Sequence, residues 1–551
     1  MSKVVIVGGV AAGASAAARL RRLDESLEIV LFEKGDYISF ANCGLPYYIG
    51  GVIEEREELL VSTPELMKHR FNIDVRVNSE VIKLDGNSKK VAISSKDRGN
   101  YEETYDYLVL APGAKPFKPN INGINSEKIF YLRNVQDTDK LKSVTKEIKS
   151  VIIVGGGYIG IEMAENLKKL DLQVTLVEAA SHILSPFDEE IVAAAEMAME
   201  KNKINLQLNS KVISFKEVED GIEAYLNNGN ILKADIVVSA IGVSPDTEFL
   251  KDSGIALGER GHILINNRME TNLEGVYAGG DAVEVIDFVN GNKTAIPLAG
   301  PANKQGRIIA DNICGVPSIY KNTQGTTVIK VFDLALAATG NNERILESLD
   351  IPHHSLIVHP FSHAGYYPGA QQMTLKLIFN DEGKILGAQA AGREGVDKRI
   401  DVIATAIRYG GTVYDLTELE LSYAPPFGSA KDAVNFSGYV AENYLTEKSE
   451  LVHPRELKKI KPEDNIVVLD VRTEEERALG KIENSIGINV NELRNRLNEL
   501  DKDKEYWLHC AVGIRSYIAE RILKQNGFKC KNITGGYKAI RLMEYATREV
   551  L

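Results

Sequence analysis

The sequence predicts an α/β protein of several domains, and three observations predict it. The chain is 551 residues long, too long for one core and suited to two to four domains. A strand–glycine turn–helix pattern occurs twice, as VVIVGGVAAG (residues 4–13) and VIIVGGGYIG (residues 151–160). Each copy leads to a second strand that ends in an acid, Glu33 after EIVLF and Glu178 after QVTLV. Two βαβ units of this kind make two Rossmann-like dinucleotide-binding domains in series.

Composition narrows the function classes. With 44% hydrophobic and 26% charged residues the chain is ordinary globular protein, with no low-complexity segment. A net charge of −12 excludes a general nucleic-acid binder, so a polyanionic ligand must be held by a local basic patch or a helix N-terminus. The opening MSKVVIVGG runs straight into a strand, and no apolar run approaches the roughly 18 residues of a membrane span, so a cytoplasmic protein is expected. The four cysteines, Cys43, Cys314, Cys510 and Cys530, form neither a CxxC nor a zinc pattern nor a disulfide framework. Cys43 and Cys510 sit in glycine-containing loops and are candidates for chemistry, whereas Cys314 and Cys530 are expected to be buried.

In the first glycine turn, Gly8, Gly9, Ala11, Ala12 and Gly13 bring backbone N–H groups to a pyrophosphate, and Glu33, with Lys34 beside it, reaches the ribose. Val10 stands where the GxGxxG pattern has its middle glycine. The strand ends at Ala111–Gly113 (APGAKP) and at Asp281 (AGGDA) complete the cofactor-binding set and point to FAD. The second turn has all three glycines, Gly155, Gly157 and Gly160, and is a nicotinamide-dinucleotide site. There Glu178 would bond a 2′-hydroxyl and repel a 2′-phosphate, which favours NADH over NADPH. Cys43, in SFANCGLPYYIGG, is expected at the start of a short helix whose dipole stabilises its thiolate. No cysteine follows nearby, and Tyr48 stands five residues on. An internal dithiol couple is excluded, so the thiol must cycle through a mixed disulfide or a sulfenic acid.

From about residue 326 the texture changes to an α+β domain, with a hairpin about Asp381–Gly383 and a helix near residues 396–409. A polar stretch at residues 444–452 precedes a tail with a fresh α/β pattern, NIVVLDVR, SIGINV and EYWLHCAVG supplying strands. The tail centres on Cys510-Ala-Val-Gly-Ile-Arg515-Ser, a loop that aims successive N–H groups at the cysteine sulfur; Arg515 adds charge and Gly513 permits the curl.

The motifs GGVAAGASAAARLRR, SFANCGLPYYIGG, APGAKP and AGGDA resemble those of coenzyme A-disulfide reductases, the single-cysteine branch of the pyridine nucleotide–disulfide oxidoreductases. The resemblance covers residues 1 to about 445. It implies an FAD domain (residues 1–118 and 248–323), an inserted NAD(P)H domain (119–247) and a dimerisation domain (324–445), in a homodimer whose partner completes the site. It also implies that Ser15, Arg19, Arg22, Ser39 and Asn42 line a coenzyme A channel, the arginines suiting its phosphates. One family position for a basic contact falls on Phe71, beside Arg70. Tyr367 (GYYPGA) and Tyr423 (SYAPPFGSAKD) match tyrosines placed next to the redox cysteine, with Tyr366 a rival for the first. Relatives that reduce peroxide carry a histidine in the first glycine turn, where this chain has Ala11.

Residues 453–551 resemble a single-domain rhodanese, through LDVRTEEE (469–476), NSIGINV (484–490), the Cys510 loop and TGGYKA (534–539). The loop is one residue shorter than the phosphatases of that fold need. The combined expectation is an FAD- and NAD(P)H-dependent reductase of coenzyme A persulfide, polysulfide or coenzyme A disulfide, coupled to sulfur transfer at Cys510. The alternatives are an NADH oxidase or peroxidase with an appended sulfur carrier, and a tail that docks to another protein.

Overall fold

The computed structural model describes residues 2–548. The chain forms two compact units. One holds the chain up to Ser181 with Ile204–Gly325, and the other holds His182–Lys203 with the chain from Thr326 onward.

The first unit contains both predicted nucleotide folds. The strand Lys3–Val7 lies at the centre of a five-stranded parallel sheet, between Tyr107–Leu110 and Glu28–Phe32, with Val276–Ala278 and Asp74–Arg76 at the edges. Every residue of the run Val4–Val7 is buried, as a parallel strand covered on both faces requires. The second copy repeats this with Ser150–Val154 between Gln173–Val177 and Ile236–Ser239. Glycine is required at the same two places in each copy. A Cβ on Gly13 would stand 1.9 Å from the Gly8 carbonyl oxygen, and one on Gly160 would stand 1.9 Å from that of Gly155. Gly8 and Gly155 themselves have φ of 96° and 107°, a region L side chains avoid. The middle glycine of the second copy, Gly157, has no atom within 4 Å of its would-be Cβ, which explains how Val10 is accommodated in the first.

On the first helix, Ala11–Leu23, Arg21 is buried and donates to the carbonyls of Glu25, Leu27, Phe71 and Asn72 at 2.7–3.0 Å. The buried arginine therefore fixes the chain around residue 71, where the family's basic contact was sought.

In the second unit, a five-stranded antiparallel sheet runs Thr327–Val331, Leu334–Gly340, Ile385–Gly392, Thr374–Phe379, His354–Val358. The expected hairpin and helix are present, the helix as Val396–Arg408. The tail forms a five-stranded parallel sheet of its own, ordered Leu451–Val452, Lys529–Ile533, Glu505–His509, Ile466–Asp470, Ile486–Gly487.

Three expectations need correction. The helix Glu189–Lys201 belongs by sequence to the inserted domain (119–247) but packs in the second unit, because its acids Asp188 and Glu190 pair with the buried Lys376 there. The tail's sheet starts at Leu451, inside the stretch read as a separator, since Leu451 and Val452 pair with Asn532 and Ile533. The NSIGINV segment gives only the two-residue strand Ile486–Gly487. Among the described residues no helix is long and apolar enough to cross a membrane.

Candidate active sites

The two acids that end the second strands act on their own glycine turns. Glu33 accepts from the N–H of Gly9 at 2.9 Å and of Gly35 at 2.8 Å; Glu178 accepts from Gly156 at 2.6 Å and Ala180 at 2.8 Å. Each carboxylate is thereby fixed with lone pairs left for a ribose hydroxyl. Beside Glu33 opens a cavity of about 390 Å³, lined by Gly8, Glu33, Lys34, Val81, Pro112 and Lys115. Gly8 packs on the Ala111 carbonyl, and Gly113, with φ of 71°, turns the chain there. Lys34 is ion-paired to Asp246. Asp281 lies 3.8 Å from Arg133, and burial pushes its carboxyl up from the ordinary value. The residues present thus fit FAD in the first cradle and a nicotinamide dinucleotide in the second.

Cys43 lies in the tight turn Asn42–Gly44, and the following helix Leu45–Ile49 spans only five residues. The expected dipole stabilisation is not what dominates. Cys43 is exposed, yet the protein packed around it, with the charges of Glu162 and Asp281, pushes its thiol up from the ordinary value. Glu162 was missed in the sequence. It sits on the helix Tyr158–Lys169 that follows the second glycine turn, and Tyr47 donates to it at 3.2 Å. Burial pushes Glu162 up to about 7. An acid close to neutrality beside Cys43 is suited to holding a proton there.

Of the positions implied for a coenzyme A channel, Ser15 donates to Asn303 at 2.6 Å, and Arg19 pairs with Asp311 at 2.8 Å. Arg22 is exposed and Ser39 takes a φ of 45°. Asn42 has a buried Oδ1 without a partner. Arg19 is therefore neutralised by a carboxylate, and a phosphate would have to compete with Asp311.

In the second unit Tyr366, not Tyr367, pairs with Tyr423, their hydroxyls 3.0 Å apart. Tyr367 packs edge-on against His363, its ring centroid 5.7 Å away. Adjacent residues in this turn point in different directions, so the motif GYY could not decide between them.

The Cys510 loop is curled as expected. Gly513, at φ of 106°, donates its N–H to Cys510 Sγ at 3.1 Å, and the Ser516 hydroxyl lies 3.5 Å from the sulfur. The loop's outward carbonyls are held by the TGGYKA turn, with the N–H of Tyr537 on Cys510 at 2.7 Å and that of Lys538 on Ala511 at 3.0 Å. A Cβ on Gly536 would stand 2.7 Å from the Cys510 carbonyl oxygen, so this close approach needs glycine. Arg515 makes a two-pronged ion pair with Glu476 at 2.6 and 2.7 Å, which fixes the guanidinium at the loop. Thr473 and Glu476 form a capping box on the helix Glu474–Ala478, and the role of Glu476 in positioning Arg515 was not legible in the sequence. Of the other cysteines, Cys530 is buried, its thiol pushed up to about 12 chiefly by burial, but Cys314, at the end of the helix Ala299–Ile313, is partly exposed rather than buried.

His509, next to Cys510, is fully buried against Tyr537 and held down to about 4 by burial. Its unfolded value is near 6.5. Between these values the unfolded chain binds a proton that the folded chain refuses. The stability from the neutral ring is complete above about pH 6.5 and is lost as pH falls toward about 4. Between pH 7 and 5.5 wild type should lose about 1.4 kcal/mol more than His509→Asn in urea unfolding read by sulfurtransferase activity. Equal losses in the two proteins would contradict this.

With this geometry in place, the comparisons with known proteins are specific. Residues 2–306 match the pyridine nucleotide-disulphide oxidoreductase family, residues 326–434 its dimerisation domain, and residues 453–542 the rhodanese-like domain. The chain belongs to the pyridine nucleotide-disulphide oxidoreductase family and is an FAD- and NAD(P)H-dependent oxidoreductase carrying a rhodanese-like domain. It is 36% identical over 448 residues to the coenzyme A disulfide reductase of Staphylococcus epidermidis, covering 80% of this chain and all of the relative. The crystal structure of reduced Bacillus anthracis CoADR-RHD is similar at 48% identity and a TM-score of 0.96, covering 98% of both chains. An NAD-dependent persulfide reductase from A. fulgidus follows at 37% identity and a TM-score of 0.92, over 98% of this chain and 99% of that one.

Proposed function

We propose that this protein is an NADH-dependent coenzyme A persulfide and coenzyme A disulfide reductase, with one redox cysteine and a sulfurtransferase that loads its substrate. The observation that carries the reading is the isolation of Cys43. Among the described residues all four cysteines are free, and the groups that act on Cys43 are carboxylates, not a second thiol. A lone cysteine can cleave an S–S bond only by taking half of the substrate onto itself.

FAD, when bound, supplies the two-electron relay between NADH and Cys43. The chain's own residues do the rest. The Cys43 thiolate attacks the inner sulfur of coenzyme A persulfide, releasing hydrosulfide and leaving a Cys43–coenzyme A mixed disulfide. With coenzyme A disulfide the same attack releases coenzyme A. Ser15, Arg19, Arg22, Ser39 and Asn42 hold the carrier, and the orphan Oδ1 of Asn42 supplies a buried acceptor for it. The proposed donors to the departing coenzyme A sulfur are the partner subunit's tyrosines at these positions, and the hydrogen-bonded pair Tyr366–Tyr423 supports Tyr366 over Tyr367 for the first role. Cys510 carries sulfane sulfur within its N–H nest, and Arg515, set by Glu476, offsets the persulfide charge. The domain limits implied by the family resemblance belong to this proposal, with residues 182–203 packed in the second unit.

The reading is tested by mass spectrometry of the protein with Cys43 reduced, treated with coenzyme A disulfide in the absence of NADH. One coenzyme A per chain, mapped to the peptide containing Cys43, is expected; sulfenic acid with no adduct would overturn it.

Glu178 sets the nucleotide preference, because its carboxylate bonds a 2′-hydroxyl and repels a 2′-phosphate. NADH should exceed NADPH in kcat/KM by about 10- to 100-fold, and Glu178→Ala should shrink that ratio at least fivefold. An unchanged ratio in the variant would remove Glu178 from this role.

A further inference from the structure

The segment Thr534–Lys538 of the tail touches two structures at once. On one side it meets His354–Val358, the edge strand of the antiparallel sheet. An edge strand presents main-chain groups that no neighbouring strand bonds. At Ile357 the Thr534 hydroxyl supplies both partners, accepting from the N–H at 2.7 Å and donating to the C=O at 3.1 Å. Thr534 and Ile357 are each 2% exposed, so water cannot take over either bond. Lys538 adds a contact on the same side, its ammonium donating to Gln372 Oε1 at 3.0 Å. On the other side the segment bonds through its main chain, the N–H of Tyr537 to the Cys510 carbonyl and that of Lys538 to the Ala511 carbonyl.

Two glycines between these anchors separate the two sides. A Cβ on Gly535 would stand 2.9 Å from Ile357 Cγ2 and 3.1 Å from His359 Nε2, toward the sheet. A Cβ on Gly536 would stand 2.9 Å from the Gly513 nitrogen and 3.0 Å from the Val512 nitrogen, toward the loop. The Gly513 N–H is the one that donates to Cys510 Sγ at 3.1 Å. Bare backbone therefore fills the space between sheet edge and loop. A close-packed interior transmits displacement, so a shift at Thr534 must be taken up by the loop.

We propose that the segment Thr534–Lys538 is the element through which the antiparallel sheet sets the sulfur-transfer loop, with Thr534 as its positioning residue. The proposal rests on the reading that Cys510 carries sulfane sulfur. Thr534 acts through the glycines that follow it. Its two bonds fix the start of the segment, the segment holds the carbonyls of Cys510 and Ala511 outward, and the Gly513 N–H stays aimed at the sulfur. The geometry of the loop is thus completed by a sheet outside the tail.

The test compares Thr534→Val, which keeps the shape and removes the hydroxyl, with Thr534→Ser, which keeps the hydroxyl, both in the full chain. Hydrogen exchange read by mass spectrometry should be about fivefold faster in Thr534→Val for the peptide spanning the Cys510 loop, and unchanged in the strand Ile466–Asp470. Sulfur transfer from thiosulfate to cyanide should fall about fivefold in kcat, with KM for thiosulfate within about twofold of wild type. Thr534→Ser should bring both readouts back to within about twofold. NADH-dependent turnover of coenzyme A disulfide should stay at the wild-type level in both variants, as expected of a folded chain. Wild-type exchange at the loop of Thr534→Val overturns the proposal, and so does a Thr534→Ser protein that behaves like Thr534→Val. Faster exchange throughout the tail also overturns it, because Thr534 would then support the whole domain and not the loop. If loop exchange responds as expected but wild type transfers no sulfur, the sulfurtransferase reading fails while the positioning stands.

Discussion

Cys43→Ser is expected to lower NADH-dependent reduction of coenzyme A disulfide by about a thousandfold or more, while thiosulfate sulfurtransferase activity stays within about twofold of wild type. The size follows from chemistry. A serine hydroxyl is a far weaker nucleophile than a thiolate and cannot form a mixed disulfide, and all four cysteines are free, with no second thiol acting on Cys43. The separation of effects follows from architecture, because Cys43 and Cys510 belong to different compact units, each with its own core. Cys510→Ser should give the mirror result. Steady-state rates of both half-activities on each variant check this, and a Cys43→Ser protein that loses both activities in parallel would contradict it.

Lys376→Met is expected to destabilise the second unit by about 3–5 kcal/mol. Lys376 is completely buried in a strand of the antiparallel sheet and meets Asp188 at 2.9 Å, Glu343 at 2.5 Å, and Glu190. Burial alone would lower its pKa, but the three carboxylates outweigh this and hold the ammonium charged. Glu190, Glu343 and His453 have the spacing of metal ligands, but the lysine ammonium already serves as the cation bonded to both carboxylates. Methionine would leave three acids facing one another in the interior. It would also release the helix Glu189–Lys201, which these ion pairs hold. Urea unfolding of the second unit, read by sulfurtransferase activity, measures the loss. Adding Glu190→Gln and Glu343→Gln should recover part of it, and a loss under about 1 kcal/mol would contradict the role given to Lys376.

The sequence showed most clearly what is local in the chain. Both glycine turns, the acids Glu33 and Glu178, the Cys510 loop and the hairpin near Asp381 depend on neighbours a few residues apart, and the fold realises each of them. What stayed hidden depends on partners far away in sequence. Glu162 acts on Cys43 from a helix more than 100 residues on, and its periodic setting GYIGIEMAE reads as an ordinary amphipathic helix. Glu476 holds Arg515, a partner that comes 39 residues later in the chain. The helix Glu189–Lys201 was placed with its sequence neighbours, since nothing in DEEIVAAAEMAMEK announces a buried lysine in another domain. The choice between Tyr366 and Tyr367 depends on side-chain direction in a turn, which residue identity does not encode.

The most direct test of the carrier mechanism is anaerobic NADH oxidation with polysulfide, with and without catalytic coenzyme A, while hydrosulfide is measured. Stimulation by coenzyme A, one hydrosulfide released per NADH for each sulfur reduced, and loss of turnover in Cys43→Ser are the predicted results. No effect of coenzyme A, together with rapid consumption of NADH by oxygen or peroxide, would contradict the account and make the protein an oxidase.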